Sequence, residues 1–174
     1  MIELVRDNWS KEDIAAFHEY AKSLKGSDKD CEWEKRIINT SLECFGRTST
    51  KAREAVSQIK KGNYVEFLRN IEITNHFESV CYAHLISFIK DKYLFRELLD
   101  KFVLTIDNWA SSDTIRFSLK DTDFLLQTAI DYLESDMPFV RRTGLNILLS
   151  LAKKEQYINV IFTRLDMLKN EKEY

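Results

Sequence analysis

Trp109 and Asp113 lie four residues apart in Asp107-Asn108-Trp109-Ala110-Ser111-Ser112-Asp113, and Arg141 and Arg142 follow behind Pro138. Residues four apart share one face of a helix, so the spacing predicts an indole and a carboxylate side by side, with a nearby arginine to complete the set. An aromatic surface, an anion and a cation together suit recognition of a charged ring and a sugar–phosphate backbone. Plainer readings stand beside these. Aromatic side chains are mostly buried, which makes Trp109 a candidate for packing between helices. Asp113 also fits as a first-turn acid favoured by the helix dipole.

Helical periodicity recurs along the whole chain and supplies the elements that must position these residues. Ile14, Phe17, Ala21 and Leu24 mark a first helix, and Trp33, Ile37, Ile38 and Leu42 a second, with Trp33 expected in the core or as a hydrophobic staple. A helix over 49–60 begins with Ser49, read as its cap, and Gly62 follows to stop it. A short element spans 63–69. The stretch 78–89 is apolar nearly all round and is predicted to be an enclosed central helix. Phe95, Leu98, Leu99 and Phe102 follow, then a helix from about Asn108. Leu126, Ala129, Ile130 and Leu133 form the next stripe. Pro138 sits where a first-turn proline is tolerated, ahead of Arg141, Leu145, Leu148, Leu149 and Ala152. Ile158, Ile161, Phe162, Leu165 and Leu168 form the last stripe, and 171–174 read as the first turn of a further helix.

With 174 residues, four Gly and one Pro, the chain fits one domain and has too few turn residues for an all-β fold. The prediction is all-α. The net charge of −2 is not that of a bulk polyanion binder. Residues 31–61 nonetheless carry seven Lys/Arg against four acids, which a solvated helix face explains as well as a phosphate track does. The three cysteines form no CxxC motif and read as small buried hydrophobes in a reducing compartment. No apolar run approaches a membrane span. His18, His76 and His84 lack metal-ligand spacing, with His84 read as a hydrogen-bonded core histidine. No phosphate-binding glycine motif occurs. No metal or cofactor is expected.

Short helices on short links read as stacked antiparallel pairs, and Asp136-Met137-Pro138-Phe139-Val140-Arg141, with Gly144 and Leu148 following, resembles the start of a HEAT repeat's second helix. The expected architecture is a HEAT-like α-solenoid with a concave face. It is expected as a single HEAT-like helical-repeat domain over 1–174 that lacks its C-terminal helices. Three blocks together resemble the AlkD-like family of DNA alkylation repair proteins. They are Trp33–Thr40 with Thr48–Arg53, Ile106–Asp113, and Val140–Leu145.

The resemblance implies a DNA glycosylase that releases positively charged alkylated purines, such as 3-methyladenine and 7-methylguanine, from duplex DNA. Asp113 would be the catalytic carboxylate, Trp109 a wall against the sugar–phosphate, and Arg142 a phosphate contact. The chemistry is coherent on physical grounds. Breaking an N-glycosidic bond builds positive charge on the deoxyribose. A carboxylate beside it stabilises that charge and orients water. Arg141 is expected to be a structural arginine paired with an acid of a neighbouring repeat. Arg142 lies about 100° further round the helix. The start of the 49–60 helix, with Lys51 and Arg53, is a second place for a phosphate. A DNA-binding member without activity and a HEAT-type protein–protein adaptor remain the alternatives. The expected location is the cytoplasm, in association with the nucleoid.

Overall fold

The structure is a computed structural model that describes residues 2–169. The five residues 170–174, and with them the expected further turn at 171–174, lie outside the described residues. Among the described residues are ten α-helices and one 3-10 turn, and the only β pairing is an isolated bridge between Glu43 and Asn75.

Most helices start where the sequence supplies a cap. Ser10 accepts from the Asp13 amide, and the Asp13 carboxylate accepts from the Ser10 amide, so α1 (Lys11–Ser23) opens on a capping box. Ser27 caps α2 (Asp28–Ile38), which ends on Asn39 in the left-handed conformation. Asn63, Asn75, Asp91, Asn108 and Asp121 cap, in turn, α4 (Tyr64–Asn70), α5 (His76–Ile86), α6 (Lys92–Val103), α7 (Trp109–Thr114) and α8 (Thr122–Leu133). Pro138 is the first residue of α9 (Pro138–Leu151). The turn Glu155–Tyr157 leads into α10 (Ile158–Met167). One expectation fails here. The helix α3 (Ser49–Ile59) has Thr48 in the capping position, and no side chain caps it.

These helices form two rows. In one row α3 packs on α5, α5 on α7 and α7 on α9. In the other, α4 and α6 lie against α5, α8 lies against α9, and α1 against α4. This is a HEAT-like helical solenoid. The helix α5 is enclosed, as its all-round apolar sequence predicts. Phe77, Cys81, Tyr82, Ala83, Leu85 and Ile86 are all buried, and each large apolar side chain contributes about 1.5–3 kcal/mol. Small hydroxyls let the first row close up. Ser79 of α5 donates to Ser111 of α7 at 2.7 Å, and Ser112 of α7 meets Thr143 of α9 at 3.2 Å. Gly144 serves the contact of α9 with α8, since a Cβ there would stand 2.9 Å from the Ala129 carbonyl oxygen.

The predicted stripes need correction at the C-terminal end. In α8 the buried face is Leu125, Thr128, Ala129 and Tyr132, one residue out of phase with the stripe through Leu126, Ile130 and Leu133. Thr128 is buried because its hydroxyl donates to the Phe124 carbonyl, and Tyr132 because its hydroxyl reaches Asp100 at 2.6 Å. In α9 the buried set is Val140, Thr143, Gly144, Ile147, Leu148 and Leu151, while Leu149 is 73% exposed. Of the last stripe only Ile161 is buried, and Phe162 is 65% exposed. Trp33 is neither core nor staple, and it stands half-exposed on α2. Leu42 lies beyond the end of α2.

Candidate active site

The segment before α7 is tied down by side chains from distant parts of the chain. The Asp107 carboxylate accepts from the Thr40 hydroxyl, from the Ser41 amide and hydroxyl at 2.6 Å each, and from Asn108 Nδ2 at 3.0 Å. Asn108 is fully buried, and its Oδ1 accepts the Ser111 amide at 2.9 Å. A six-residue helix has little stability of its own, so these anchors set where Trp109 and Asp113 stand.

Asp113 and Arg142 meet, as the sequence reading requires. Arg142 Nε donates to Asp113 Oδ1 at 2.8 Å and Nη2 to Oδ2 at 2.7 Å, the two-pronged geometry natural to guanidinium and carboxylate. Asn146, one turn along α9, adds a bond from Nδ2 to Asp113 Oδ1 at 2.8 Å and another to Ser112 Oγ at 3.1 Å. Partial burial alone would raise the Asp113 pKa, but hydrogen bonds from Arg142 and Asn146 and the Arg142 charge outweigh it and hold the pKa below the usual 3.8. Asp113 is therefore an anion at neutral pH, about one-third exposed.

A depressed carboxylate contributes stability above its unfolded pKa, and that contribution is lost as pH falls through the lower folded value. Any reaction that needs the anion is therefore expected to hold its rate down to below pH 3.8. In Arg142→Gln the charge is gone and burial is less opposed. The acid limb of the pH–rate profile should then move upward. A limb unmoved by the substitution, read by single-turnover rates across pH, would remove Arg142 from control of this carboxylate.

Asp113 opens on a hollow of about 390 Å³ lined also by Arg116, Phe117, Asn146, Ser150 and Lys153. Arg116 and Lys153 are exposed, and sequence reasoning missed both, since neither sits on a periodic stripe or in a motif. Half-buried His84 of α5 feels the charges of both Arg53 and Arg116. Its pKa is lowered first by burial and then by those two charges. No hydrogen bond from the His84 ring occurs among the described residues, contrary to the expected bonded core histidine. Arg53 of α3, with Arg116 and Lys153 just past the ends of α7 and α9, thus makes a basic strip near Asp113, with His84 uncharged between Arg53 and Arg116 at neutral pH. Lys51 shares its charge with Glu54 at 3.0 Å. Arg141 donates Nη1 to the Ser135 carbonyl at 2.9 Å.

Trp109 does not join Asp113. It is 41% exposed, so packing in the core is not its role. Its Nε1 donates to the Ile37 carbonyl of α2 at 3.2 Å, and its ring lines a different hollow together with Trp33. Cys44 and Cys81 are buried and Cys31 is half-buried. Burial pushes the Cys44 thiol up to about 12, with a further contribution from Glu34. Among the described residues no group of three or more His, Cys, Asp or Glu is placed to hold a metal ion, and no helix is long and apolar enough to cross a membrane.

Comparison with known proteins agrees with this geometry at the level of the family. The model of the family described as DNA alkylation repair enzyme matches residues 5–174. No curated protein and no solved structure matches the chain. A match over nearly the full length, on a helical solenoid that brings the Asp113 and Arg142 blocks into contact, leaves one conclusion: the chain belongs to the AlkD-like family of DNA alkylation repair proteins.

Proposed function

We propose that this DNA alkylation repair protein is a DNA glycosylase for positively charged alkylated purines, 3-methyladenine and 7-methylguanine, in duplex DNA. The observation that carries the reading is the Asp113 carboxylate. It is kept ionised by Arg142 and Asn146, partly open to solvent, and set beside a cationic strip. DNA phosphates lie along Arg53, Arg116 and Lys153, with Lys51 at the edge. The lesion's deoxyribose comes against Asp113. As the bond from C1′ to the purine nitrogen breaks, its electron pair neutralises the cationic base, which leaves as the free alkylated purine. Positive charge passes to the sugar, where Asp113 stabilises it. A water oriented by Asp113 adds to C1′ and loses its proton to solvent. The alkylated base is already a good leaving group, so this route asks for no cofactor.

Arg142 acts in this scheme as the positioning partner of Asp113. The phosphate contact implied by the resemblance competes with that role, because both ligands want the same guanidinium fork. Arg116 and Lys153 reach phosphate without that conflict. The double substitution Arg116→Ala/Lys153→Ala is expected to weaken binding to any duplex at low salt and to flatten the slope of log affinity against log salt by about 1.8, two contacts at about 0.9 each. An unchanged slope in a fluorescence-anisotropy titration would take the duplex off this strip. Liquid chromatography of bases freed from methylated duplex tests the reaction itself.

A second reading is favoured by the position of Trp109. An aromatic wall that lines a neighbouring hollow gives the lesion less support at Asp113, as in a member that binds DNA without cutting it. That reading predicts steep salt dependence and no free base.

A further inference from the structure

We propose that the hollow between α2, α3 and α7 is a nucleotide site, taking a planar base against Trp33 and Trp109 and its phosphate on the first turn of α3. The hollow has a volume of about 490 Å³, within the roughly 300–1,000 Å³ of small-molecule clefts. Two features of its walls point to a flat aromatic ligand. Trp33 and Trp109 both line it and are 48% and 41% exposed. Tryptophans left this open on a folded surface are suited to stacking, and base–aromatic stacking needs no particular sequence.

The floor points to a hydrogen-bonding edge. His76 lines the hollow and is more than nine-tenths buried. Its Nδ1 is 2.7 Å from Glu34 Oε1, and the other oxygen of Glu34 accepts the Gly46 amide at 2.7 Å. Gly46 holds that amide in place with φ at +84°, a conformation L side chains resist. A carboxylate only accepts, so Nδ1 carries the proton, and in the neutral ring Nε2 is a bare acceptor. That atom is shut from solvent and has no hydrogen-bond partner. Native interiors rarely leave such a group unpaired. An amino or ring N–H on the edge of adenine, guanine or cytosine supplies the missing donor once the lining side chains part to admit it.

The rim points to phosphate. Thr48 and Ser49 line the hollow at the start of α3, an eleven-residue helix with no side-chain cap and no acid in its first turn. The amides of Ser49, Thr50 and Lys51 have no acceptor among the described residues. Free amides and the positive end of the helix dipole favour an anion there. Arg47 stands on the same rim, 5.9 Å over the Trp33 ring. A base on the indoles, a donor to His76 and a phosphate on α3 together describe one nucleoside monophosphate unit, either free or within a strand.

The test is quenching of indole fluorescence in the intact protein by adenosine monophosphate, by adenosine, and by a 5′-phosphorylated trinucleotide. Trp9 is buried in the core and gives a constant background. Saturable quenching by the monophosphate is expected, at least about tenfold tighter than by adenosine. Trp33→Ala should abolish it. Thr50→Glu puts an acid in the first turn, which favours the helix and so cannot act by unfolding it. It should weaken monophosphate binding at least about tenfold and leave adenosine unaffected. A trinucleotide that binds tighter than the monophosphate marks the occupant as part of a strand, and the reverse marks a free nucleotide. No saturable quenching by monophosphate or trinucleotide up to about 10 mM, a weak limit of only a few kcal/mol, overturns the proposal. So does equal affinity in wild type, Trp33→Ala and Thr50→Glu. Asp113→Asn should bind the monophosphate like wild type, so loss of base release and loss of this site are separate results.

Discussion

Asp113→Asn is expected to lower the rate of purine release from methylated duplex by about 100- to 1,000-fold, the usual loss when one pre-placed electrostatic stabiliser is removed. The amide has nearly the carboxylate's shape, so α7 keeps its place. What disappears is the negative charge that Arg142 and Asn146 hold in the ionised form. The amide also turns an N–H group toward those donors, so part of the network is broken as well. Affinity for duplex should be retained or rise slightly, since an anion has been taken from beside Arg116 and Lys153. Loss of rate with loss of binding would mean that the substitution damaged the surface. Equal rates in both proteins would remove Asp113 from the chemistry.

Asn108→Ala is expected to be the most damaging single change among the residues that place the site without touching DNA. The fully buried side chain caps α7 through the Ser111 amide and steadies Asp107, which in turn holds Thr40 and Ser41 between α2 and α3. A lost cap costs about 1 kcal/mol, and a buried polar group left unpaired costs about 1–3 kcal/mol more. The expected loss is about 2–4 kcal/mol, or a fall of about 4–16 °C in Tm for a chain of this size. Asn108→Ser, which keeps a capping oxygen without a second carboxylate beside Asp107, should recover part of the loss. A Tm in Asn108→Ala within about 1 °C of wild type would show that α7 is held by packing alone. The same variant should slow base release, because Asp113 is carried on the helix that the cap begins.

Much of the architecture was legible in the sequence because it is written in local rules. Asn108 and Pro138 announce helix starts, and the apolar run around α5 announces its enclosure. Phase was lost where polar atoms are buried. Thr128 and Thr143 look like surface residues until their hydroxyls bond back to the Phe124 and Phe139 carbonyls of their own helices, and Tyr132 until its hydroxyl reaches Asp100 of α6, a pairing set by tertiary contact. Ser49 and Thr48 show the converse: both have the right chemistry for a cap and neither provides it.

The site was legible in its pair and not in its surroundings. Asp113 and Arg142 stood out by type, yet the third member, Asn146, carries no signal until α9 packs on α7. Trp109 shares a short helix with Asp113, but a six-residue helix anchored at Asn108 leaves its first residue facing α2. Four-residue spacing fixes an angle about the helix axis, not the hollow each side chain enters. Arg116 and Lys153 lie just past the ends of α7 and α9, in segments without periodicity, and only the stacking of those helices brings them together.

Release of alkylated purines from DNA through Asp113 is tested most directly by single-turnover release of 3-methyladenine and 7-methylguanine from methylated duplex, with protein in excess and duplex binding followed in the same reactions. Free base is expected at a rate above spontaneous depurination. Full occupancy of the duplex with release no faster than in buffer would contradict it.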